Sequence, residues 1–318
     1  MTQTTTGERI NLVRLAHVSY KHVNIEKELE FLQDFGFTET KRVGERIYFR
    51  GYGTEPFVYV AEQATKDSFE GAAWVVESRT DLDLAVRILP GASEVYDLVD
   101  APGGGQCVTF HDPVDGFPFH LVHGQVPVEP DNTFAELQFN FPTNKHRGVG
   151  EFQRLEKGPT KIHKMGHFGM CVTNFQKAFE FYTTKFNLKP SDVVENDVGT
   201  EISAFLHLDR GEEYVDHHSF FFFEGPKSHV HHSSFEVHDF DTQVLGHDWL
   251  RKKQYESCWG VGRHVMGSQI FDYWFDTSRF ILEHYVDGDV VNCRTPTSRS
   301  KAGPDSLYVW GMYLPLYE

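Results

Sequence analysis

His167, His232 and Glu283 are the residues of this chain whose types and settings could hold a metal ion. Each lies in a short segment that reads as a β-strand: Met165 to Cys171, His229 to Val237, and Arg279 to Tyr285. Side chains alternate across a strand. His167 therefore shares a face with Gly169 and Cys171, opposite Phe168, Met170 and Val172. His232 goes with Ser234 and Glu236, opposite Ser233, Phe235 and Val237. Glu283 goes with Ile281 and Tyr285, opposite Phe280, Leu282 and His284. A polar inner face on several curved strands describes a cavity with ligands rather than a dry core. Two imidazoles and one carboxylate are the ligand set of non-haem Fe(II) oxygenases, which leave positions open for substrate. Such a centre carries a net charge of about +1 and suits a bidentate anionic substrate with O2 beside it. The competing reading makes His229-Val230-His231-His232 a solvated loop and pairs Glu283 with a surface Lys or Arg. Each residue taken alone favours that reading. The organisation of the whole chain favours the metal.

That organisation is a repeat. Leu15-Ala16-His17-Val18 matches Met165-Gly166-His167-Phe168 at an offset of 150, and the same offset pairs Asn24 with Asn174, Ile25 with Phe175, Leu29 with Phe179 and Leu32 with Tyr182. The i, i+4, i+7 spacing marks an amphipathic helix, and each Asn stands where an N-cap belongs. Each half thus opens with a His-bearing strand, a turn and a helix. Strands are expected at 46–50 and 57–61 in the first half, and at 202–208 and 218–223 in the second. The pattern then recurs within each half: strand 72–76, helix 81–89, strands 107–110 and 117–122; strand 233–237, helix 242–251, strands 269–275 and 280–285. The predicted fold is α+β, a strand–helix–three-strand unit used four times to build two open barrels. The expected divisions are an N-terminal domain over 1–130, a linker over 131–160 rich in Pro, Gly and Asn, a metal-binding domain over 161–290, and a tail over 291–318 packed near the site.

Composition narrows the partners. The 318 residues are 40% hydrophobic and 24% charged, with a net charge of −16. An acidic chain lacks the basic face that nucleic acid or an anionic membrane requires. There is no apolar run long enough for a membrane span, and Met1 to Arg9 lacks the apolar centre of a secretory signal. Cys107, Cys171, Cys258 and Cys293 are scattered and form no CxxC pair, which fits a reducing compartment. The expectation is a cytoplasmic protein.

With these residues in order, the sequence resembles the two-domain extradiol ring-cleavage dioxygenases of the vicinal oxygen chelate superfamily, which also holds glyoxalases and bleomycin resistance proteins. The resemblance covers roughly residues 10 to 290. GHFGMCV resembles the first-ligand strand, HHSSFEV the second and FILEHY the third, which implies His167, His232 and Glu283 as ligands. His231 offers an alternative register for the second. The resemblance places an acid–base His at His218, within His217-His218-Ser219-Phe220, and a GRH turn at Gly262-Arg263-His264. A strand Tyr facing the site follows at Tyr273. It implies Fe(II), with Mn(II) permitted by ligand type, a vicinal aromatic diol held through both oxygens, O2 as co-substrate, and a homo-oligomer (dimer or tetramer). His218 would handle protons; His264 and Tyr273 would hydrogen-bond the substrate oxygens and orient the ring. The plainer readings are a turn-capping His264 and a core Tyr273. The first half departs from the pattern: His17 holds the first-ligand position, but Gly71 and His120 fall at the second and third. It is read as scaffold. Gly169 stands where some relatives carry an Asn. Two other functions fit the same scaffold: a glyoxalase-like metal-dependent isomerase or lyase, and a non-enzymatic small-molecule binding protein.

Overall fold

The computed structural model describes residues 8–131, 134, 136–303 and 306–311. Residues 1–7 and parts of the tail lie outside these. The first half runs β1 (Leu12–His22), α1 (Ile25–Phe35), β2 (Thr38–Val43), β3 (Arg46–Arg50) and β4 (Tyr59–Gln63), then β5 (Ser68–Val76), α2 (Arg79–Ile88), β6 (Tyr96–Asp97), β7 (Gln106–His111) and β8 (Pro118–His123). The second half runs β9 (Ile162–Val172), α3 (Phe175–Lys185), β10 (Leu188–Glu195), β11 (Glu201–Leu208), β12 (Val215–Asp216) and β13 (Phe220–Glu224). It continues with β14 (His229–Val237), α4 (Phe240–Lys252), β15 (Ser257–His264), β16 (Ile270–Phe275) and β17 (Ile281–Val286). Three short strands close the chain: β18 (Val290–Val291), β19 (Ser298–Lys301) and β20 (Tyr308–Gly311).

The strand–helix–three-strand unit occurs four times, and the units join in pairs. Within the first sheet β1 and β5 run antiparallel at the centre, each flanked by the last strand of its own unit in parallel, β4 and β8. The second sheet repeats this, with β9 and β14 antiparallel and flanked in parallel by β13 and β17. Its order is β19-β10-β11-β13-β9-β14-β17-β16-β15-β20. This is the α+β vicinal oxygen chelate arrangement of curled half-barrels.

The helices start where their caps dictate. The Asn24 side chain accepts from Lys27 N and Asn174 from Lys177 N, satisfying an N–H that the first turn leaves unpaired. Ser78 with Asp81 and Asp239 with Thr242 form capping boxes on α2 and α4. The apolar faces meet in one core shared by both halves: Trp74 packs with ring centroids 5.3 Å from Phe168 and 5.8 Å from Phe220. Among strands of six or more residues, three escape the periodicity reading. β2 is a charged, largely exposed edge strand (TETKRV), as edges often are. β10 carries Pro190 and a bulge there. β15 (SCWGVGRH) is interrupted by two glycines. The expected GRH turn is corrected by that last strand: Gly262, Arg263 and His264 end β15 and pair with both β16 and β20. The chain turns only after His264. Between Gly124 and Lys161 the described residues form neither helix nor strand. No helix is long and apolar enough to cross a membrane.

Candidate metal centre

Register builds the site. Across β9, β14 and β17, His167 pairs with Ser234, and Ser234 with Glu283. The central position of this row holds a small side chain, so His167 and Glu283 meet above Ser234. His232 stands one inward step along β14, beside Gly169. Nε2 of His167 lies 3.1 Å from Nε2 of His232, and Oε2 of Glu283 lies 2.9 Å from the first and 3.3 Å from the second. All three residues are buried.

The donor set fits a divalent metal. Neither oxygen of Glu283 has a hydrogen-bond partner, although a buried carboxylate is costly without a compensating charge. Burial alone would raise its pKa, yet the His167 and His232 imidazoles hold it well below the ordinary carboxylate range. Burial keeps the His232 imidazole neutral by lowering its pKa, against the pull of Glu283. Two imidazoles and a carboxylate, with one ligand atom from each within 4.8 Å of the others, make up a donor set that divalent metals take. His231 sits outside this group. Its Nδ1 lies 2.7 Å from Nδ1 of His232, so it contacts the outer edge of that ring.

The other residues singled out in the sequence gather on the open side. The ring centroid of His218 lies 4.3 Å from that of His167. His218 precedes β13 rather than lying within it, which corrects its expected place on a strand. Burial, reinforced by His167 and His217, drives its pKa well down, so it is a neutral ring. The Tyr273 hydroxyl and Nε2 of His264 are hydrogen-bonded, and both line the same cavity of about 390 Å³ as His167, His218 and His232. The rest of that wall is mainly apolar, including Phe205, Phe221, Phe223, Trp259, Ile281 and Leu307. No Lys, Arg, Asp or Glu lines it among the described residues.

Several contributors escape sequence reasoning. A Cβ on Gly169 would lie 1.7 Å from Cε1 of Phe221, and one on Gly166 2.0 Å from the Tyr285 hydroxyl. The glycines flanking His167 and Phe168 thus admit two rings that wall the site, and Phe221 occupies the space that a longer residue at 169 would fill. Asp192 meets His217 at 2.8 Å, and Nδ1 of His217 lies 3.1 Å from Nδ1 of His218; nothing local in the sequence ties Asp192 to that pair. Ala302, Ser306 and Leu307 bring the tail to the cavity wall. In the first half, Gly71 adopts φ +119 and its missing side chain makes room for His120, whose two ring nitrogens contact Thr109 Oγ1 and Glu70 O. The His17 and His120 rings stack at 6.5 Å.

The family model described as Glyoxalase/Bleomycin resistance protein/Dioxygenase superfamily matches residues 164–283. That segment is a domain of this superfamily. Among curated relatives, metapyrocatechase 2 of Cupriavidus necator is 29% identical over 48% of this chain and 46% of its own length. Biphenyl-2,3-diol 1,2-dioxygenase of Paraburkholderia xenovorans is 30% identical over 44% of this chain and 41% of its own. The match to such relatives spans about half their length or less. Among solved structures, homoprotocatechuate 2,3-dioxygenase of Brevibacterium fuscum, in complex with 3,4-dihydroxyphenylacetate, aligns with a TM-score of 0.79 at 16% identity, covering 99% of this chain and 93% of that one. The Mn(II)-bound glyoxalase of Novosphingobium aromaticivorans aligns at 0.77 and 21% identity over 96% and 93%. At these identities the structural matches establish the shared fold, and the site residues supply the functional argument.

Proposed function

We propose that this chain is an extradiol ring-cleavage dioxygenase. It holds Fe(II) on His167, His232 and Glu283 and inserts both atoms of O2 into an aromatic vicinal diol. The observation carrying this reading is the set of polar groups on the open side of the triad: His218, His264 and Tyr273 in an otherwise apolar chamber. When bound, the metal supplies a two-point anchor for the diol and a path for electrons from the ring to O2.

The chain's own residues supply the remainder. The apolar wall excludes water and presses the ring into one plane. His218, neutral and next to His167, is placed to take a proton during the reaction and return it. Tyr273, its proton held by His264, accepts a hydrogen bond from a hydroxyl of the substrate, and His264 keeps the phenol in place. A ligand set of three favours this chemistry over the glyoxalase-like alternative, which generally calls for a fourth protein ligand. Completeness of that set argues against a purely binding role.

The lining also speaks to the substrate. With no Lys or Arg in the lining among the described residues, a substrate carboxylate would be unpaired when buried, a severe cost. Trp259 lies against Tyr273 with ring centroids 5.7 Å apart and nearly parallel, extending an apolar slot. The preferred diol therefore carries an uncharged alkyl or aryl substituent. The resemblance further implies a homo-oligomer acting in the cytoplasm.

The test is to purify the protein anaerobically, measure its metal, and follow O2 uptake and yellow product with a panel of catechols. Alkyl- or aryl-catechols should exceed carboxylated ones in kcat/KM by tenfold or more, on the scale of about 1.4 kcal/mol per factor of ten. No O2 uptake with any diol by the iron-loaded protein would overturn the assignment.

A further inference from the structure

A second cluster of ligand-type residues lies outside the cavity lining, where the halves meet. His22 ends β1, Glu28 lies on α1, and Asp276 opens the turn between β16 and β17; all three are buried, with one ligand atom from each within 4.8 Å of the others. A glutamate on the inward side of an amphipathic helix is unusual, because burying its charge is costly.

Hydrogen bonds account for only half of each carboxylate. Oε2 of Glu28 accepts from N and Oγ1 of Thr277, at 3.2 and 2.6 Å, and Oδ1 of Asp276 accepts from N of Ser278 and N of Phe280, both at 2.8 Å. Oε1 of Glu28 and Oδ2 of Asp276 have no partner. A third carboxylate stands nearby: Oδ1 of Asp67 accepts from N of Val23 and Oγ of Ser278. Among the described residues no Lys or Arg forms an ion pair with Glu28, Asp67 or Asp276; the charged-group contact of Glu28 is Nδ1 of His22, at 3.8 Å.

The ring of His22 has a neighbour at each nitrogen. Its Nε2 lies 3.1 Å from the Tyr59 hydroxyl and its Nδ1 2.9 Å from Ser278 Oγ. Whether the Ser278 hydroxyl gives its proton to Asp67 or to Nδ1 of His22, the two orphaned oxygens keep no donor. Buried acceptors left without donors call for a cation or a proton.

We infer that His22, Glu28 and Asp276 form a second metal site, for a divalent ion that prefers oxygen ligands (Mn2+, Mg2+ or Ca2+), which clamps the β1–α1 corner of the first half to the β16–β17 turn of the second. Carboxylate oxygens and a single imidazole make up its donor set. The site takes no part in ring cleavage and is independent of that assignment.

The test counts metal on the untagged full chain, equilibrated in turn with Mn2+, Mg2+ and Ca2+, desalted, and analysed by inductively coupled plasma mass spectrometry. His232→Ala removes the other centre, and this variant should retain about one equivalent of at least one of the three ions. Its thermal midpoint should fall by several degrees, about the effect of losing a tight ligand, when a chelator strips that ion. Adding Glu28→Gln or Asp276→Asn in the same background should abolish both the retained ion and the chelator effect. The proposal is overturned if the His232→Ala protein retains none of the three and melts identically with chelator. It is equally overturned if Asp276→Asn leaves the count unchanged, or if it stabilises a metal-free chain, as expected for two carboxyls sharing a proton. Should the added variants fail to fold, the count on His232→Ala alone decides.

Discussion

The hydroxyl of Tyr273 lies 2.8 Å from Nε2 of His264, and the opposite ring nitrogen, Nδ1, lies 2.8 Å from the carbonyl oxygen of Leu307. A carbonyl only accepts, so Nδ1 carries the proton, and Nε2 accepts from the phenol. A residue of the C-terminal tail thereby sets the tautomer of a cavity histidine, and the histidine sets the direction of the phenol. Burial drives the pKa of Tyr273 well above its ordinary value, with Glu283 adding to the rise. The phenol stays protonated throughout the working pH range and can act only as a neutral hydrogen-bonding group.

Tyr273→Phe should therefore leave metal content unchanged and reduce kcat/KM by about 2- to 10-fold, the range for one neutral hydrogen bond to the substrate. Steady-state O2 uptake together with metal analysis reads both quantities. Full kcat/KM in the variant would show that the hydroxyl serves only the interior.

His218→Asn should retain metal and slow turnover by about a hundredfold or more, the usual contribution of positioned acid–base groups. The same experiment checks whether the ring merely packs against His167. If it does, kcat stays within a fewfold of the parent and only stability changes.

Gly169→Ala forces the added methyl group against the Phe221 ring. That ring lies 5.2 Å, centroid to centroid, from His232. Overpacking of this kind costs about 1–3 kcal/mol, and the displaced ring moves toward a ligand. Urea unfolding of the variant should show the lower stability, and metal affinity should drop with it. Unchanged stability would mean that Phe221 has free space to retreat into.

Acid sensitivity follows from buried neutral imidazoles away from both clusters. Burial, reinforced by His120, lowers the pKa of His17 to about 3, and burial lowers that of His207 to about 4. In the unfolded chain both return to about 6.5. The unfolded state then binds more protons, so this stability is fully present above about pH 6.5 and is lost as pH falls toward 4 and 3. The metal-free protein should show a falling urea midpoint between about pH 7 and about pH 5. His17→Phe, which keeps a ring beside Phe57, should flatten that slope. A parallel slope in the variant would remove His17 from the account.

Much of this protein was legible before any coordinates. Two periodicities, 2 and 3.6, placed all four helices and most strands, because local burial patterns are written locally. The offset of 150 revealed the repeat for the same reason. His167, His232 and Glu283 could be named together because strand alternation sorts faces within each segment. Three things depended on tertiary structure. The choice of His232 over His231 as the neighbour of His167 and Glu283 rests on cross-strand register, with its shift between Val230 and His232, which no single strand encodes. The roles of Gly169, Trp259 and Leu307 rest on which distant side chain arrives beside them. The His22, Glu28 and Asp276 cluster joins residues that chain order holds apart, and only packing of the two halves brings their charges into one dry space.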